Sequence, residues 1–278
     1  MRWLWVLAAV GVAGGVWAQG APEVSVRPEG RPEGHPEAGA EDSGPGEQTG
    51  AGEQAGEAEQ TGEAEEAVSD ALAEVPGMRE QLNMSRADHA ACLAVLDGLG
   101  VVYSEPAPII PEDDRDCGIL RPVAVTEIAP GVEIAPPAVV RCETAEAMAL
   151  WVKDFVLPAA ARMEDRGALR AIRNGSGYVC RRRNNLPDGK LSEHAFGNAF
   201  DVMGFEFAEG PPIPVQPREA EGTMAEAFQD AVRASACMEF TTVLGPGSNA
   251  THEDHLHLDI IARSSGYRLC EQGPGAQE

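Results

Sequence analysis

The six cysteines of this 278-residue chain restrict where a folded core can form. All of them lie between Cys92 and Cys270, so the first 91 residues contain none. An even number of cysteines behind an export-like N-terminus predicts three disulfide bonds formed in an oxidising compartment. Thiolate metal ligation is the alternative, but no Cys-x-x-Cys pair is present. We therefore expect a disulfide-stabilised domain in the C-terminal two-thirds of the chain.

Cysteine spacing alone does not select the connectivity of the three bonds, because six cysteines allow many pairings. The simplest pairing joins neighbours in chain order. It predicts the bonds Cys92–Cys117, Cys142–Cys180 and Cys237–Cys270.

The first 18 residues have the pattern of a secretory signal peptide. Arg2 precedes the apolar stretch 3–16, and Ala18 ends a small-x-small cleavage pattern. An uncleaved membrane anchor is the alternative, but the apolar stretch is short for a membrane span. We expect cleavage after residue 18, export to the periplasm or secretion beyond it, and no stable membrane anchor afterwards.

Residues 19–76 are predicted to form a disordered tether. This Gly- and Glu-rich stretch carries 15 acidic residues against two arginines, and such a composition cannot bury enough apolar surface to offset its ordering entropy. The folded domain is expected at residues 77–272, followed by a disordered tail at 273–278. The chain beyond the tether carries a net charge of −12 without a basic stripe, so nucleic acid is not an expected partner.

Hydrophobic periodicity in the domain predicts a mixture of helices and strands. Helical spacing starts near Ser85, Thr144 and Ala225, and Pro158 is expected to kink or end the second helix. Strand patterns occupy residues 119–134 around a Pro-Gly turn, 168–172, 178–183, 239–245 and 255–261. We predict an α+β fold in which a small, mainly antiparallel sheet carries a metal site and is flanked by helices.

The last strand pattern concentrates histidines on one face. In "HLHLDI" a period of two places His255, His257 and Asp259 together, while the intervening leucines face the core. His252 precedes the strand and can fold over the same face. A solvated polar face is the alternative, but paired imidazoles with a third nearby favour a metal site.

A second cluster supplies the remaining ligand types. His194 lies in a loop, and Asp201 follows in an alternating run typical of a strand. Together with one histidine of the later strand, they make a three-ligand set that leaves a fourth position for water. Such an open set is typical of catalytic zinc, whereas structural zinc sites are usually closed and rich in thiolates.

These motifs resemble those of a known family. The segment "LSEHAFGNAFDV" (191–202) is similar to the signature of zinc peptidoglycan peptidases of the lysostaphin, D-Ala-D-Ala carboxypeptidase and Sonic hedgehog group. The His-x-x-His-x-His spacing in "THEDHLHLDI" (251–260) resembles the penicillin-insensitive murein endopeptidase. With "CRRRNN" (180–185) and "YRLC" (267–270), they match the bacterial extensin-like C-terminal domain family over roughly residues 90–270.

The resemblance implies roles for individual residues. Zinc would be bound by His194, Asp201 and His257. His255 would act as general base or stabilise the transition state, with His252 assisting it or holding a second-layer hydrogen bond. The implied reaction is amide hydrolysis by a metal-activated water in peptidoglycan peptides, as carboxypeptidase or endopeptidase.

Three further residues belong to the expected site. The carboxypeptidase branch has a glutamate where this chain has Asp254, whose side chain is one methylene shorter, so His255 is favoured over it as base. Related peptidases carry an arginine before the His194 loop that binds a carboxylate or the oxyanion, and Arg181 and Arg183 are the candidates. A solvated basic edge is the alternative for these arginines. For the whole chain, the alternative function is a non-catalytic cell-wall or peptide-binding module that retains the zinc site.

Overall fold

A computed structural model of the protein describes residues 76–218 and 220–271. The predicted signal peptide, the tether up to residue 75 and the tail from 273 onwards lie outside the described residues. Within the described part, the strands are β1 (Val102–Ser104), β2 (Pro122–Ala129), β3 (Val132–Arg141), β4 (Leu169–Asn174), β5 (Ala199–Phe207), β6 (Ile213–Pro214), β7 (Thr242–Leu244), β8 (Leu256–Asp259) and β9 (Leu269–Cys270).

All of these strands belong to one open sheet in the order β1-β2-β3-β4-β5-β8-β7-β9, with β6 also paired to β5. The pairs are antiparallel except β3 with β4 and β7 with β9. The helices are α1 (Met78–Gln81), α2 (Arg86–Leu99), α3 (Cys142–Trp151), α4 (Leu157–Ala160) and α5 (Met224–Glu239). The predicted α+β class with a mainly antiparallel sheet is confirmed.

Helix ends follow local sequence signals where a capping residue is present. The Ser85 hydroxyl accepts a hydrogen bond from the backbone N–H of Asp88 (3.1 Å), and α2 ends at Gly100 with φ of 75°. The Thr223 hydroxyl caps α5 by accepting from Glu226 N–H (3.1 Å). In the described residues no helix is both long and apolar enough to cross a membrane.

The helix expected from Thr144 differs from its prediction at both ends. It starts two residues earlier, at Cys142, and its chain continues past Pro158 to Ala160. A π-helical turn at Val152–Val156 ends two residues before the proline. Because this turn already replaces the regular i→i−4 bonding, the helix tolerates a residue that lacks an N–H.

The strand predicted at residues 178–183 is wrong. Most of this segment bonds to the returning part of its own loop, through Ser192 N–H to Arg181 O (2.9 Å) and Arg183 N–H to Lys190 O (3.0 Å). Single bonds also run from Tyr178 N–H to Val139 O of β3 (2.8 Å) and from Val179 N–H to His194 O (3.2 Å), but they form no ladder. A single bridge joins Arg182 and Leu191. Local alternation was present, but no neighbouring strand extends the pairing.

The core lies between the sheet and the longer helices. Trp151 of α3 is fully buried and donates its indole N–H to the Val232 carbonyl of α5 (3.0 Å). Its ring contacts Phe240 edge-on and Phe205 at a tilted angle. This packing rigidifies β5, the strand that carries the predicted Asp201 ligand.

The three predicted disulfides form, but the chain-order connectivity is wrong for two of them. The observed bonds are Cys92–Cys142, Cys117–Cys180 and Cys237–Cys270. The first ties α2 to the start of α3, and the last ties α5 to β9. The middle bond joins two loops that meet at the His194 turn, which is a tertiary contact that spacing in the chain does not reveal.

Candidate metal centre

Two central strands carry two of the predicted ligands on one face of the sheet. β5 and β8 are antiparallel, with Asp201 directly opposite His257. Their neighbours Phe200 and Leu258 are also paired and are fully buried in the core on the other face. The strand register therefore places one carboxylate beside one imidazole.

The third predicted ligand enters from a 3-10 turn, Glu193–Phe196, just before β5. Gly197 ends this turn with φ of 69°, and a Cβ there would collide with the Ile119 side chain. The Gly197 carbonyl accepts a hydrogen bond from the Thr144 hydroxyl of α3 (2.8 Å). These contacts hold His194, which is fully buried, beside the two strand residues.

The three ligand atoms form a compact triangle. His194 Nε2 lies 3.2 Å from Asp201 Oδ1 and 3.1 Å from His257 Nδ1, and the last two atoms are 3.0 Å apart. Ligands of a tetrahedral zinc centre with bonds of about 2.0–2.2 Å lie roughly 3.3–3.6 Å apart. The group therefore has the size needed to hold a metal ion.

The outer nitrogens of both imidazoles are held by acceptors. His194 Nδ1 donates to the Gly177 carbonyl (2.6 Å), and His257 Nε2 donates to the Asp259 carboxylate (3.1 Å). Each ring can then turn an unprotonated nitrogen inward. With both rings in this tautomer, two nitrogen lone pairs and the Asp201 oxygen converge, an arrangement that repels itself unless a proton or a metal ion lies between them. The donor chemistry of the site therefore fits a metal ion.

The pKa shifts of Asp201 and His257 also favour the binding of a cation between these residues. Burial alone would raise the pKa of Asp201, but hydrogen bonds from His194 and His257 outweigh it and hold that pKa well below its usual value. Burial alone would lower the pKa of His257, but the carboxylates of Asp201 and Asp259 raise it to about 9. A proton and a metal ion thus compete for the same inward nitrogen, so metal binding should release protons.

The remaining two histidines of the motif lie beside the triangle. His255 Nε2 is 3.8 Å from Asp201 Oδ1, and its ring centroid is 5.1 Å from that of His252. His252 donates from Nδ1 to Asn249 Oδ1 (2.7 Å). Burial, followed by its neighbours His257 and His255, lowers the pKa of His252 to about 4. His252 is therefore neutral at neutral pH.

Asp254 lies at the rim of the site and contacts it through a histidine. Its side chain is 77% exposed, and its Oδ1 accepts from His255 Nδ1 at 2.8 Å. The carboxylate is directed to the base candidate, and it orients the ring so that Nε2 is left as an acceptor. Glu253 is exposed and takes no part in these contacts.

Both candidate arginines line a cavity of about 130 Å³ that also includes His252 and His257. Arg183 Nη2 lies 3.2 Å from Glu193 Oε1. Arg181 forms no ion pair with any residue that the structure describes. The two arginines therefore line the same cavity, although their segment is a loop and not a strand.

The sequence analysis did not identify the residues that hydrogen-bond to the predicted ligands and hold them in place. The Ser176 hydroxyl donates to Asp201 Oδ2 (2.7 Å), and Gly177 and Asp259 hold the two imidazoles. The sequence pattern places Asp259 on the same strand face as His257, but it assigned no role to that carboxylate. Nothing local marks Ser176 or Gly177, which reach the site from the loop after β4.

Comparison with known proteins gives one match. A family model described as the extensin-like protein C-terminus matches residues 90–271, a range that contains every residue of the candidate centre. Neither the curated proteins nor the solved structures contain a significant match.

Proposed function

The chain belongs to the extensin-like protein C-terminus family, and from its site geometry we propose that it is an exported, zinc-dependent peptidase. The proposed reaction is hydrolysis of a peptide bond in peptidoglycan, in a stem peptide or a cross-link. The observation that carries the proposal is the buried triangle of His194, Asp201 and His257, with edges of 3.0–3.2 Å, flanked by two further imidazoles.

Zinc is the proposed metal because of the ligand types. Two imidazole nitrogens and one carboxylate oxygen are typical ligands of catalytic zinc, which keeps a further position open for water or substrate. When bound, zinc would polarise the scissile carbonyl and make a water molecule more acidic. The contacts from Gly177 and Asp259 to the outer ring nitrogens support a site that is organised before the metal arrives.

His255 is the proposed general base. Its Nδ1 proton is held by Asp254, so Nε2, 3.8 Å from Asp201 Oδ1, can take a proton from the attacking water and pass it to the leaving amine. His252, held through Nδ1 by Asn249, keeps its other nitrogen available for a hydrogen bond at the same site. Such proton transfer is worth roughly 10²–10⁴ in rate.

Arg181 is the better-placed arginine for substrate. Arg183 is already paired with Glu193, whereas within the described residues Arg181 has no carboxylate partner. Its guanidinium can bind a substrate carboxylate or the developing oxyanion in bidentate fashion.

Peptidoglycan is proposed as the substrate for two reasons. The three disulfides fit a protein exported to an oxidising compartment, for which we propose the periplasm. The motifs around His194 and His257 also resemble those of zinc peptidases that act on cell-wall peptides.

The test is digestion of purified sacculi. The chain lacking residues 1–18 is loaded with zinc and incubated with sacculi, with and without chelator, and released fragments are identified by mass spectrometry. We expect release that stops with chelator and returns with zinc, and the fragment masses identify the bond. Protein that contains one zinc per chain but releases nothing would instead favour a peptide-binding module.

A further inference from the structure

A second, larger cavity lies next to the metal centre. It has a volume of about 760 Å³, against about 130 Å³ for the cavity at the histidines. Four of its lining side chains are basic: Arg115, Arg182, Arg183 and Lys190. We call it the basic cavity.

The two cavities share a wall. Arg183 and Glu193 line both of them. Glu193 is 93% buried, pairs with Arg183, and accepts a hydrogen bond from Asn198 Nδ2 (3.0 Å). Because Glu193 immediately precedes His194, the wall is anchored to the same turn as a metal ligand. The two cavities are therefore adjacent at the Arg183–Glu193 pair.

The acidic groups of the basic cavity are already engaged. Asp116 accepts from the backbone N–H of Met78 (3.0 Å), and Glu193 is used by Arg183 and Asn198. Lys190, by contrast, is exposed and makes no ion pair within residues 76–218 and 220–271. With four basic and two acidic side chains in its lining, the cavity is cationic, although the chain beyond the tether carries a net charge of −12.

Arg182 retains donor capacity toward the cavity. It donates from Nη1 to the Gly189 carbonyl (3.1 Å), while its Nη2 is 3.6 Å from Asp114 Oδ2, beyond a normal hydrogen bond. The remaining lining includes three apolar side chains: Leu191, Phe196 and Ile261. Basic groups over an apolar patch suit a ligand that carries a carboxylate on an aliphatic arm.

We propose that the basic cavity binds a carboxylate-bearing arm of the peptidoglycan peptide, away from the bond that is cleaved. Arg182 and Lys190 hold the carboxylate, and the apolar patch contacts the aliphatic part of the arm. This inference rests on the proposed function and adds to it a preference for free-acid over amidated peptides.

The test compares two forms of one synthetic stem peptide, with free carboxylates and with carboxamides in their place. Binding to the chelator-treated chain is measured by calorimetry, and KM and kcat are measured on the zinc-loaded chain. We expect the free acid to bind about tenfold more tightly, as for a hydrogen bond to a charged group. In Lys190→Gln and Arg182→Gln that preference is lost and KM rises about tenfold, while kcat is retained.

Lys153→Gln is the matched control, since it removes the same charge from an exposed side chain outside the cavity. Retention of the free-acid preference in both cavity variants would overturn the inference, and so would an equal loss in Lys153→Gln. Because Lys190 is exposed and unpaired within the described chain, its variant is expected to fold even where Arg182→Gln does not.

The two proposals fail in different ways. Zinc-dependent release from sacculi without any free-acid preference would refute the role of the basic cavity and would support the peptidase. A Lys190-dependent preference without release of fragments from sacculi would refute the peptidase and would support a peptide-binding cavity.

Discussion

Alanine substitutions at His257 and His255 should separate metal binding from turnover. His257 Nδ1 is one corner of the ligand triangle, whereas His255 lies outside it, with Nε2 3.8 Å from Asp201 Oδ1. Structural zinc binds four-ligand peptides with roughly 10–16 kcal/mol. One ligand is then worth about 2.5–4 kcal/mol, so His257→Ala should weaken zinc affinity roughly 10²–10³-fold.

The effect can be measured without substrate, as a zinc-induced rise in Tm. Zinc at 100 times its Kd stabilises the folded chain by about 2.7 kcal/mol, which is about 5–11 °C for a domain of this size. In His257→Ala the same zinc concentration no longer exceeds the Kd, so about 0.4 kcal/mol or less remains, a shift of about 1 °C. His255→Ala should keep the full shift.

Measurement of kcat then tests the proposed role of His255 in proton transfer. His255→Ala should lower kcat roughly 10²–10⁴-fold with its zinc content unchanged. His89→Gln, at a histidine on α2 outside the metal group, controls for the loss of an imidazole. Equal loss of the zinc shift in His257→Ala and His255→Ala would refute the division between ligand and base. Full retention of the shift in His257→Ala would refute the centre itself.

Three further outcomes are expected. Because burial lowers the pKa of His252 to about 4, the unfolded chain binds more protons between about pH 6.5 and 4. Stability should fall as the pH falls through this range, and denaturation of His252→Asn should show a smaller slope. Leu258→Ala removes a fully buried side chain and should cost about 2–5 kcal/mol in urea unfolding, with zinc stoichiometry retained in the folded protein. Replacing Cys117 and Cys180 by serine should cost about 2–5 kcal/mol and weaken the zinc-induced Tm shift, whereas serines at the Cys237–Cys270 bond should leave that shift unchanged.

The candidate metal ligands could be predicted because side chains alternate between the two faces of a strand, and this alternation can be read from a short stretch of sequence. The alternation that groups His255, His257 and Asp259 on one face also sends Leu256 and Leu258 into the core, and the structure confirms both sides. The cross-strand contact between β5 and β8 was not visible in the sequence. It was inferred from ligand chemistry, because a catalytic zinc site needs three such groups.

The parts that could not be predicted depend on tertiary packing. Cys117 meets Cys180 because their loops bond to the His194 turn from two sides: Gly118 N–H donates to Ala195 O, and Val179 N–H donates to His194 O. Neither contact has a periodic signature, and pairing by chain order failed for that reason. The Ser176 hydrogen bond to the Asp201 carboxylate has the same origin.

The residues proposed for metal binding and for proton transfer differ in how they are held. His194, Asp201 and His257 are each at least 91% buried and are fixed by the sheet, by Gly197 and by second-layer acceptors. His252 and Asp254 lie on the segment before β8. Asp254 contacts the centre through His255, whereas the His252 ring packs against both His255 and His257. Metal affinity should therefore depend less than turnover on the conformation of this segment. The short Asp254 side chain fits this arrangement, since it needs to reach only the neighbouring imidazole and not the reacting water.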